Sequence, residues 1–412
     1  MNEMDVKIIA ISTPFKNSNV NFDFNILKSP TKENLQNLKE EWMIMSGKYA
    51  GICYTKDDFS SLENEPNDAS KKRANFCLMQ GHHSVFDHIF ITFEFINFPK
   101  MLAMTLNNEK MYTTSEKSAR YTIMNLAKKE QNIYDKWLKI IHDKLNKDYP
   151  LEQYPKLLEG KRNTVAQENA RYFTSVFTPC HLIHTVSIRQ LNYEIEMIKE
   201  YIDTCIKTKF SKKFIQYLQQ FISNDIIQCL TIEGLSCKEK SRKLSIFENP
   251  LFTKDIFDSV YQTKYQLSFA AFAQNQRHRT ISYSFDFPTE FSFYIPELIQ
   301  DSKDLVSEWK NDMLSVKDNF PQGQLVNVYE KGTVENFVLK CKERICFNAQ
   351  LEVMRQSVKT LKEYISKTKN TNEQVYNYLV NSTNNATSRC KFKDFKCNKP
   401  CIFGSKQYER KF

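Results

Sequence analysis

Two short stretches of the chain carry side chains suited to gripping an anion. One is Arg277-His278-Arg279, with Gln274 upstream and Ser282 downstream. Two guanidiniums and an imidazole in a row suit a phosphate or an electron-rich heteroaromatic ring, because a guanidinium is a rigid, permanently charged fork of donors that also stacks on flat rings. The other is Ser115-Glu116-Lys117-Ser118-Ala119-Arg120-Tyr121, which sets hydroxyls around an arginine. A third cluster, Gly81-His82-His83-Ser84-Val85-Phe86-Asp87-His88, holds three of the seven histidines. It invites a metal, but no cysteine or second carboxylate stands nearby at ligand spacing, so no metal is expected. His82 and Ser84 instead offer donors to the edge of a cofactor, with Asp87 and His88 fixing the loop. Taken alone, the arginine triplet also reads as a solvated basic turn, and the histidine loop as capping before a strand.

The elements that must hold these groups follow from apolar spacing. Strands are expected at Lys7–Ser12, ending at Pro14, and at Ile89–Phe95, ending near Pro99. Leu182–Val186 reads as a further strand, and Ser282–Tyr294 as a strand or turn. Helices are expected at 32–50, from about Ala69 after a polar loop from Asp58, and at 100–110, 127–146, 161–173 and 188–208. Residues 210–250 read as a charged connector. Further helices are expected at 262–276, 302–318 and, as one long helix, 333–366. A polar, basic tail follows from about 380, with Cys390, Cys397 and Cys401 read as ordinary thiols rather than zinc ligands. The fold class is α+β. Helix, polar signature, helical stretch and long helix occur twice in that order, which points to a divergent tandem duplication.

Composition limits the partners. A chain of 412 residues has room for two or three cores. With 41% hydrophobic and 26% charged residues it reads as soluble and globular. No apolar run reaches the ~20 residues of a membrane span, so no membrane is expected. The acidic, polar start is unlike a leader peptide, and eleven scattered cysteines suit a reducing, cytoplasmic setting. Net charge is 58 − 48 = +10, which favours anionic partners such as nucleotides or folates. With eight glycines and neither GxGxxG nor GxxxxGK[ST], phosphates must be held by side chains and helix N-termini.

The histidine loop, followed by Ile89-Phe90-Ile91-Thr92-Phe93-Glu94-Phe95, resembles the flavin-dependent thymidylate synthases, whose usual form is His-x-Ser-x-x-Glu-His before a Phe-Thr-Phe strand. The family's later signature begins Gln-x-x-Arg-His-Arg, which contacts flavin. It ends in a Glu-x-Ser-x-Arg-Tyr that holds deoxyuridylate. In this chain the two ends are separated. The first half keeps Ser115, Glu116, Ser118, Arg120 and Tyr121 but has Asn108-Glu109-Lys110 at the Arg-His-Arg positions. The second half keeps Gln274, Arg277, His278, Arg279 and Ser282 but has Phe285, Phe287 and Thr289 at the nucleotide positions. The family's phosphate arginine matches Arg171, opposite Lys317 in the second half. Its pyrimidine arginine matches Arg344, opposite Ile198 in the first half.

The resemblance implies composite sites built from both halves, in a fold of two tandem domains, each a mixed sheet with long helices. It implies domains at 1–225 and 226–380 and a tail at 381–412. The activity implied is C5 methylation of dUMP to dTMP with FAD, using NADPH and methylene-tetrahydrofolate as co-substrates. By the same resemblance Arg277 and Arg344 are expected to act catalytically. His82, Ser84, Gln274, Arg277, His278, Arg279 and Ser282 are expected to bind cofactor. Ser115, Glu116, Ser118, Arg120, Tyr121, Arg171 and Arg344 are expected to bind the nucleotide. Family assembly implies that the chain is a pseudo-dimer and that two chains form a homodimeric pseudo-tetramer. Alkylation of another pyrimidine nucleotide, or a non-catalytic nucleotide- or RNA-binding derivative, stands as the alternative. A nucleic-acid partner is otherwise not expected.

Overall fold

The computed structural model describes residues 3–12, 30–122, 124–237, 243–248, 254–397 and 401–412. In chain order the elements are β1 (Asp5–Ile11), α1 (Lys32–Gly51), α2 (Phe59–Glu63), α3 (Asn67–Met79), β2 (Phe90–Pro99), α4 (Lys100–Leu106), β3 (Thr113–Glu116), α5 (Lys128–Asp148), α6 (Glu159–Ala170), β4 (Pro179–Ser187) and α7 (Ile188–Thr204). There follow α8 (Lys209–Ile222), α9 (Asp225–Cys229), β5 (Ile256–Phe257), β6 (Val260–Ser268), α10 (Phe269–Asn275), β7 (Ser282–Asp286), α11 (Lys303–Ser315), β8 (Leu325–Thr333), α12 (Val334–Arg344), α13 (Leu351–Thr368) and α14 (Glu373–Thr383). No helix among the described residues is long and apolar enough to cross a membrane.

The chain divides into two compact units. One is Met1–Lys117 with Pro179–Ser245; the other is Ser118–Thr178 with Ile246–Phe412. The first holds a four-stranded sheet of order β1-β2-β4-β3. Along β2 the side chains of Ile91, Phe93 and Phe95 point inward, as an alternating half-buried strand requires. Phe95 and Phe98 meet the ring of Phe221 on α8, at 5.9 and 5.8 Å between centroids. The described helices of the 210–250 stretch, α8 and α9, therefore pack in this unit and are not a connector, while 238–242 and 249–250 lie outside the described residues. Phe210, Phe214, Leu218 and Phe221 lie on one buried helical stripe.

The second unit holds a sheet of order β5-β6-β8-β7. One core packs Trp137 of α5 against Trp309 of α11 at 4.7 Å, with Phe173 also on Trp309 at 4.4 Å. Another gathers Tyr261, Phe337, Leu361 and Tyr364.

The two sheets have the same strand order. A constant offset carries Lys100 onto Phe269, Leu106 onto Asn275 and Thr113 onto Ser282, the bounds of α4, α10 and the starts of β3 and β7. A second offset carries Arg171 onto Lys317, each opening a three-residue 3-10 turn, and Ser187 onto Thr333. Ser187 and Thr333 are both N-caps, accepting from the amides of Gln190 and Asn336.

Several expectations need correction. Both sheets are antiparallel throughout, not mixed. The helix read at 262–276 is strand β6 followed by the seven-residue α10: Tyr261, Thr263, Tyr265 and Leu267 are buried and alternate with Gln262, Lys264 and Gln266. Strand β8 was not anticipated. Its inward residues Val326, Val328 and Glu330 include a carboxylate, which breaks the apolar pattern. The long helix 333–366 is two helices, α12 and α13, interrupted at 345–350. The polar loop 58–72 holds α2 and the start of α3. The tail packs: Gln407, Arg410 and Phe412 are buried. Pro14, the expected end of β1, lies outside the described residues.

Candidate functional site

The interruption between α12 and α13 is where the second unit concentrates positive charge. α12 ends at Arg344, and Ile345 leaves the helical conformation with ψ 59°. The Ile345 carbonyl is taken by the Arg389 amide at 3.0 Å and the Gln407 side chain at 3.3 Å. With that helix end satisfied, residues 345–350 form a non-helical bridge to α13. Four cations converge on it. Arg120 donates to the Asn348 carbonyl at 3.3 Å, Arg410 to the Ala349 carbonyl at 2.7 Å, and Arg171 to the Gln350 side-chain oxygen. Lys161 lies over the Phe347 ring at 4.6 Å, with Arg410 on the same ring at 4.8 Å. Arg120, Lys161 and Arg171 come from the 118–178 segment, and the bridge from the second half of the chain.

Two carboxylates face this group, Glu168 and, at Arg171, Glu352. Glu168 pairs with Arg120 at 3.5 Å. Burial lowers the pKa of Arg171, which Glu168 opposes and Arg120 reinforces. Burial likewise lowers Lys161, with Glu168 opposing and Arg410 and Arg120 adding to the shift. The Arg410 guanidinium is pushed down to about 10 by burial, again against Glu168. Four cations around two acids are an unbalanced arrangement that an anion would offset. The Nε atoms of Arg171, Arg344 and Arg410 are buried and make no hydrogen bond among the described residues. α13 is 18 residues long and starts here, so its N-terminal dipole adds to the same potential.

A polar chain holds the bridge in place. Gln350 also donates to the Tyr172 hydroxyl, which donates to Glu352 at 3.0 Å. Glu352 accepts from the amide and hydroxyl of Ser268, both at 2.6 Å. Ser268 is the N-cap of α10, the helix that delivers the arginine triplet. Gln274, on α10, accepts from the Gln350 amide at 3.0 Å, and its carbonyl takes Arg344 at 3.5 Å. Arg344 is lowered by burial, with Arg120 and Arg277 acting in the same direction against Glu343 and Tyr283. The triplet, Arg344 and Arg120 therefore share one electrostatic neighbourhood.

His278 is buried between Glu343 at 3.1 Å and Thr280 at 3.0 Å, and burial lowers its pKa. It braces the loop and turns away from solvent. Arg277 is half-buried, while Arg279 and Ser282 are exposed. These accessible donors fit a flavin or its phosphates.

Other expected site residues lie in the first unit. His82 and Ser84 are exposed, flanking a buried His83 that bonds the Tyr193 hydroxyl at 3.0 Å. Asp87 binds Ser187 and Arg189. Ser115 is exposed, and Glu116 is engaged by Lys100 and Asn107. Ser118 and Tyr121 belong to the second unit, with Arg120 over the Tyr121 ring at 5.3 Å. Sequence reasoning missed Lys161, Glu168 and Arg410. Lys161 and Glu168 lie seven residues apart on α6, a helical spacing that could have marked a shared face. Arg410 carried no signal. Among the described residues no three His, Cys, Asp or Glu side chains are grouped to hold a metal ion.

Residues 45–199 match the family model described as Thymidylate synthase complementing protein. Over that segment the chain is similar to this family. Among solved structures it is similar to a UMP/dUMP methylase of Streptomyces cacaoi bound with 5-Br dUMP, at 14% identity over 57% of this chain and 96% of that one, TM-score 0.32. It is also similar to Thymidylate Synthase X of Helicobacter pylori with FAD and dUMP, at 14% identity over 55% and 99%, TM-score 0.28. A further structure of the flavin dependent thymidylate synthase of Helicobacter pylori aligns at 16% identity over 45% and 94%, TM-score 0.26. No curated protein sequence matches the chain. The family match takes in Arg120, Lys161 and Arg171 and stops short of Arg277, Arg344 and Arg410.

Proposed function

We propose that the chain is a tandemly duplicated flavin-dependent methylase of deoxyuridylate, with domains at 1–225 and 226–380, and that its working site is composite. The observation that carries this is the convergence of Arg120 and Arg171, from the nucleotide half of the family signature, on Gln350 and Asn348 beside Arg344, from the other half. Arg120, Arg171 and Ser118 take the 5′-phosphate, a dianion best met by guanidinium forks and hydroxyls. Arg344 faces the pyrimidine and stabilises charge developing on its carbonyl side. Arg277, Arg279, Ser282 and Gln274 hold FAD, with His278 bracing the loop. Ser115, Glu116, Tyr121, His82 and Ser84 complete the sites, and two chains pair into a pseudo-tetramer. FAD, reduced by NADPH, supplies hydride chemistry, and methylene-tetrahydrofolate supplies the carbon.

The positions where each half departs from the signature support one nucleotide site per chain. Phe285 packs on Phe269 at 5.4 Å, Phe272 at 5.4 Å and Phe287 at 5.7 Å. In the first unit Glu109 accepts from both the amide and hydroxyl of Ser245, and Asn108 donates to that hydroxyl at 2.7 Å. The altered residues have become packing. Duplication is further supported by an isolated antiparallel bridge between Ser175 and Pro321, positions that the second offset makes equivalent.

The test is flavin absorbance of the purified protein, followed by release of the C5 hydrogen of dUMP with methylene-tetrahydrofolate and NADPH present. A yellow protein that releases the hydrogen supports the reading. A colourless protein unable to take up FAD sinks it.

A further inference from the structure

We infer that Arg410 and Lys161 form a second anion subsite beside Arg120 and Arg171, taking the second phosphate of a nucleoside diphosphate. This rests on the nucleotide reading above and goes beyond it in substrate class and in residues. Arg410 lies on the C-terminal tail, outside the matched family segment and outside every repeat.

Three features place the subsite. First, consecutive residues of the α12–α13 bridge anchor the two pairs side by side. The carbonyls of Asn348 and Ala349 take Arg120 and Arg410, Gln350 takes Arg171, and Phe347 stacks under both Lys161 and Arg410. Second, Arg410 is 2% exposed, yet its Nε and Nη1 have no hydrogen-bond partner among the described residues. A buried guanidinium with two idle donor atoms is costly unless an anion meets it. Third, cations outnumber acids. Arg120, Lys161, Arg171 and Arg410 face Glu168 and, at Arg171, Glu352, a surplus of 4 − 2 = 2 positive charges. One phosphate on Arg120 and Arg171 leaves Lys161 and Arg410 without an anion in contact, and the second phosphate of a nucleoside diphosphate supplies it. Arg120 and Lys161 are only partly buried, which leaves the charged edge open to a ligand.

The experiment is calorimetric titration of the full-length protein with deoxyuridine, dUMP and dUDP. The wild type is expected to bind dUDP about 10-fold or more tightly than dUMP, the value of one well-made charged contact. Arg410→Gln and Lys161→Gln should each cut dUDP affinity by about 10-fold or more and dUMP affinity far less, collapsing the ratio. Arg410→Lys should restore part of it. If Arg410→Gln does not fold, Lys161→Gln, on the partly exposed rim, decides alone. Equal binding of dUMP and dUDP by the wild type overturns the inference, as does a ratio that survives both variants. Loss of the preference in saturating FAD also overturns it, since the subsite would then belong to the cofactor's pyrophosphate. Failure to bind any of the three ligands would instead bring down the nucleotide reading itself.

Discussion

The two four-stranded sheets share a strand order but reverse the polarity of their buried ionisable groups. The offset that carries Ser187 onto Thr333 carries His184 onto Glu330 and Glu194 onto Lys340. In the second unit Glu330 and Lys340 form an ion pair at 2.6 Å, both with wholly buried side chains, and Tyr261 and Tyr265 also donate to Glu330. In the first unit His184 bonds the Thr114 hydroxyl at 3.0 Å and stacks on Tyr112 at 5.6 Å, while Glu194 accepts from Gln190. Base stands where acid stands in the other sheet, and acid where base stands. A buried charge can be exchanged only together with its partner. Each sheet thus has an interior built around its own network, and neither side chain set would serve in the other sheet.

The strongest challenge to this contrast is Lys340→Met. It strands Glu330 without its cation and should cost about 3–5 kcal/mol, seen as loss of the second unit's unfolding transition in denaturant. Adding Glu330→Gln should recover much of that loss. Glu194→Gln, which keeps a hydrogen-bonding side chain, should cost only about 1 kcal/mol. Equal costs would show that the two networks are not different in kind.

Next in size is the division of labour at the site. Arg120→Ala should weaken dUMP binding by about 30-fold or more while flavin content is retained. Arg277→Ala should lower flavin content first. Unchanged nucleotide affinity in Arg120→Ala would remove the proposed assignment.

The smallest effect is a difference in pH response. Burial raises the Glu352 carboxyl to about 6, against its bonds to Ser268 and Tyr172 and the charge of Arg171. The folded state therefore binds that proton more tightly than the unfolded chain. Its stabilising contribution is complete below about 4.5 and is lost as pH rises through about 6. Glu65, in the first unit, is lowered to about 2 by Arg73. Its contribution is present above about 4.5 and is lost as pH falls toward 2. Glu352→Gln should flatten the loss between pH 4.5 and 6, and Glu65→Gln the acid limb. Urea melts across that range, monitored by tryptophan fluorescence, would separate the two.

Much of the fold was legible because β2 and the amphipathic helices bury regular stripes, as Phe93 and Phe95 or Trp137 and Ile141 do. The two signature halves were legible because their residues are local. β6 was misread because the apolar run from Leu267 to Ala273 drew a helix over a strand whose inner face is largely tyrosine and threonine. β8 hid behind Glu330. Lys161 and Glu168 looked like a solvated helix face. They are turned into a site only where 118–178 packs with residues more than a hundred positions downstream. Arg410 could not be read at all, since its surroundings are distant in sequence.

That same segment, 118–178, has a genetic consequence. It lies between β3 and β4 of the first sheet, yet its helices find their core on Trp309. If the halves are repeats, as proposed, cutting the gene at their junction would not return two working ancestors. The first product would carry α5 and α6 with nothing to cover them, and the second would lack the wall on which Trp309 rests. On the duplicated reading, the fusion has become a one-way step: gene fission is closed to this lineage, while substitution within each repeat stays open.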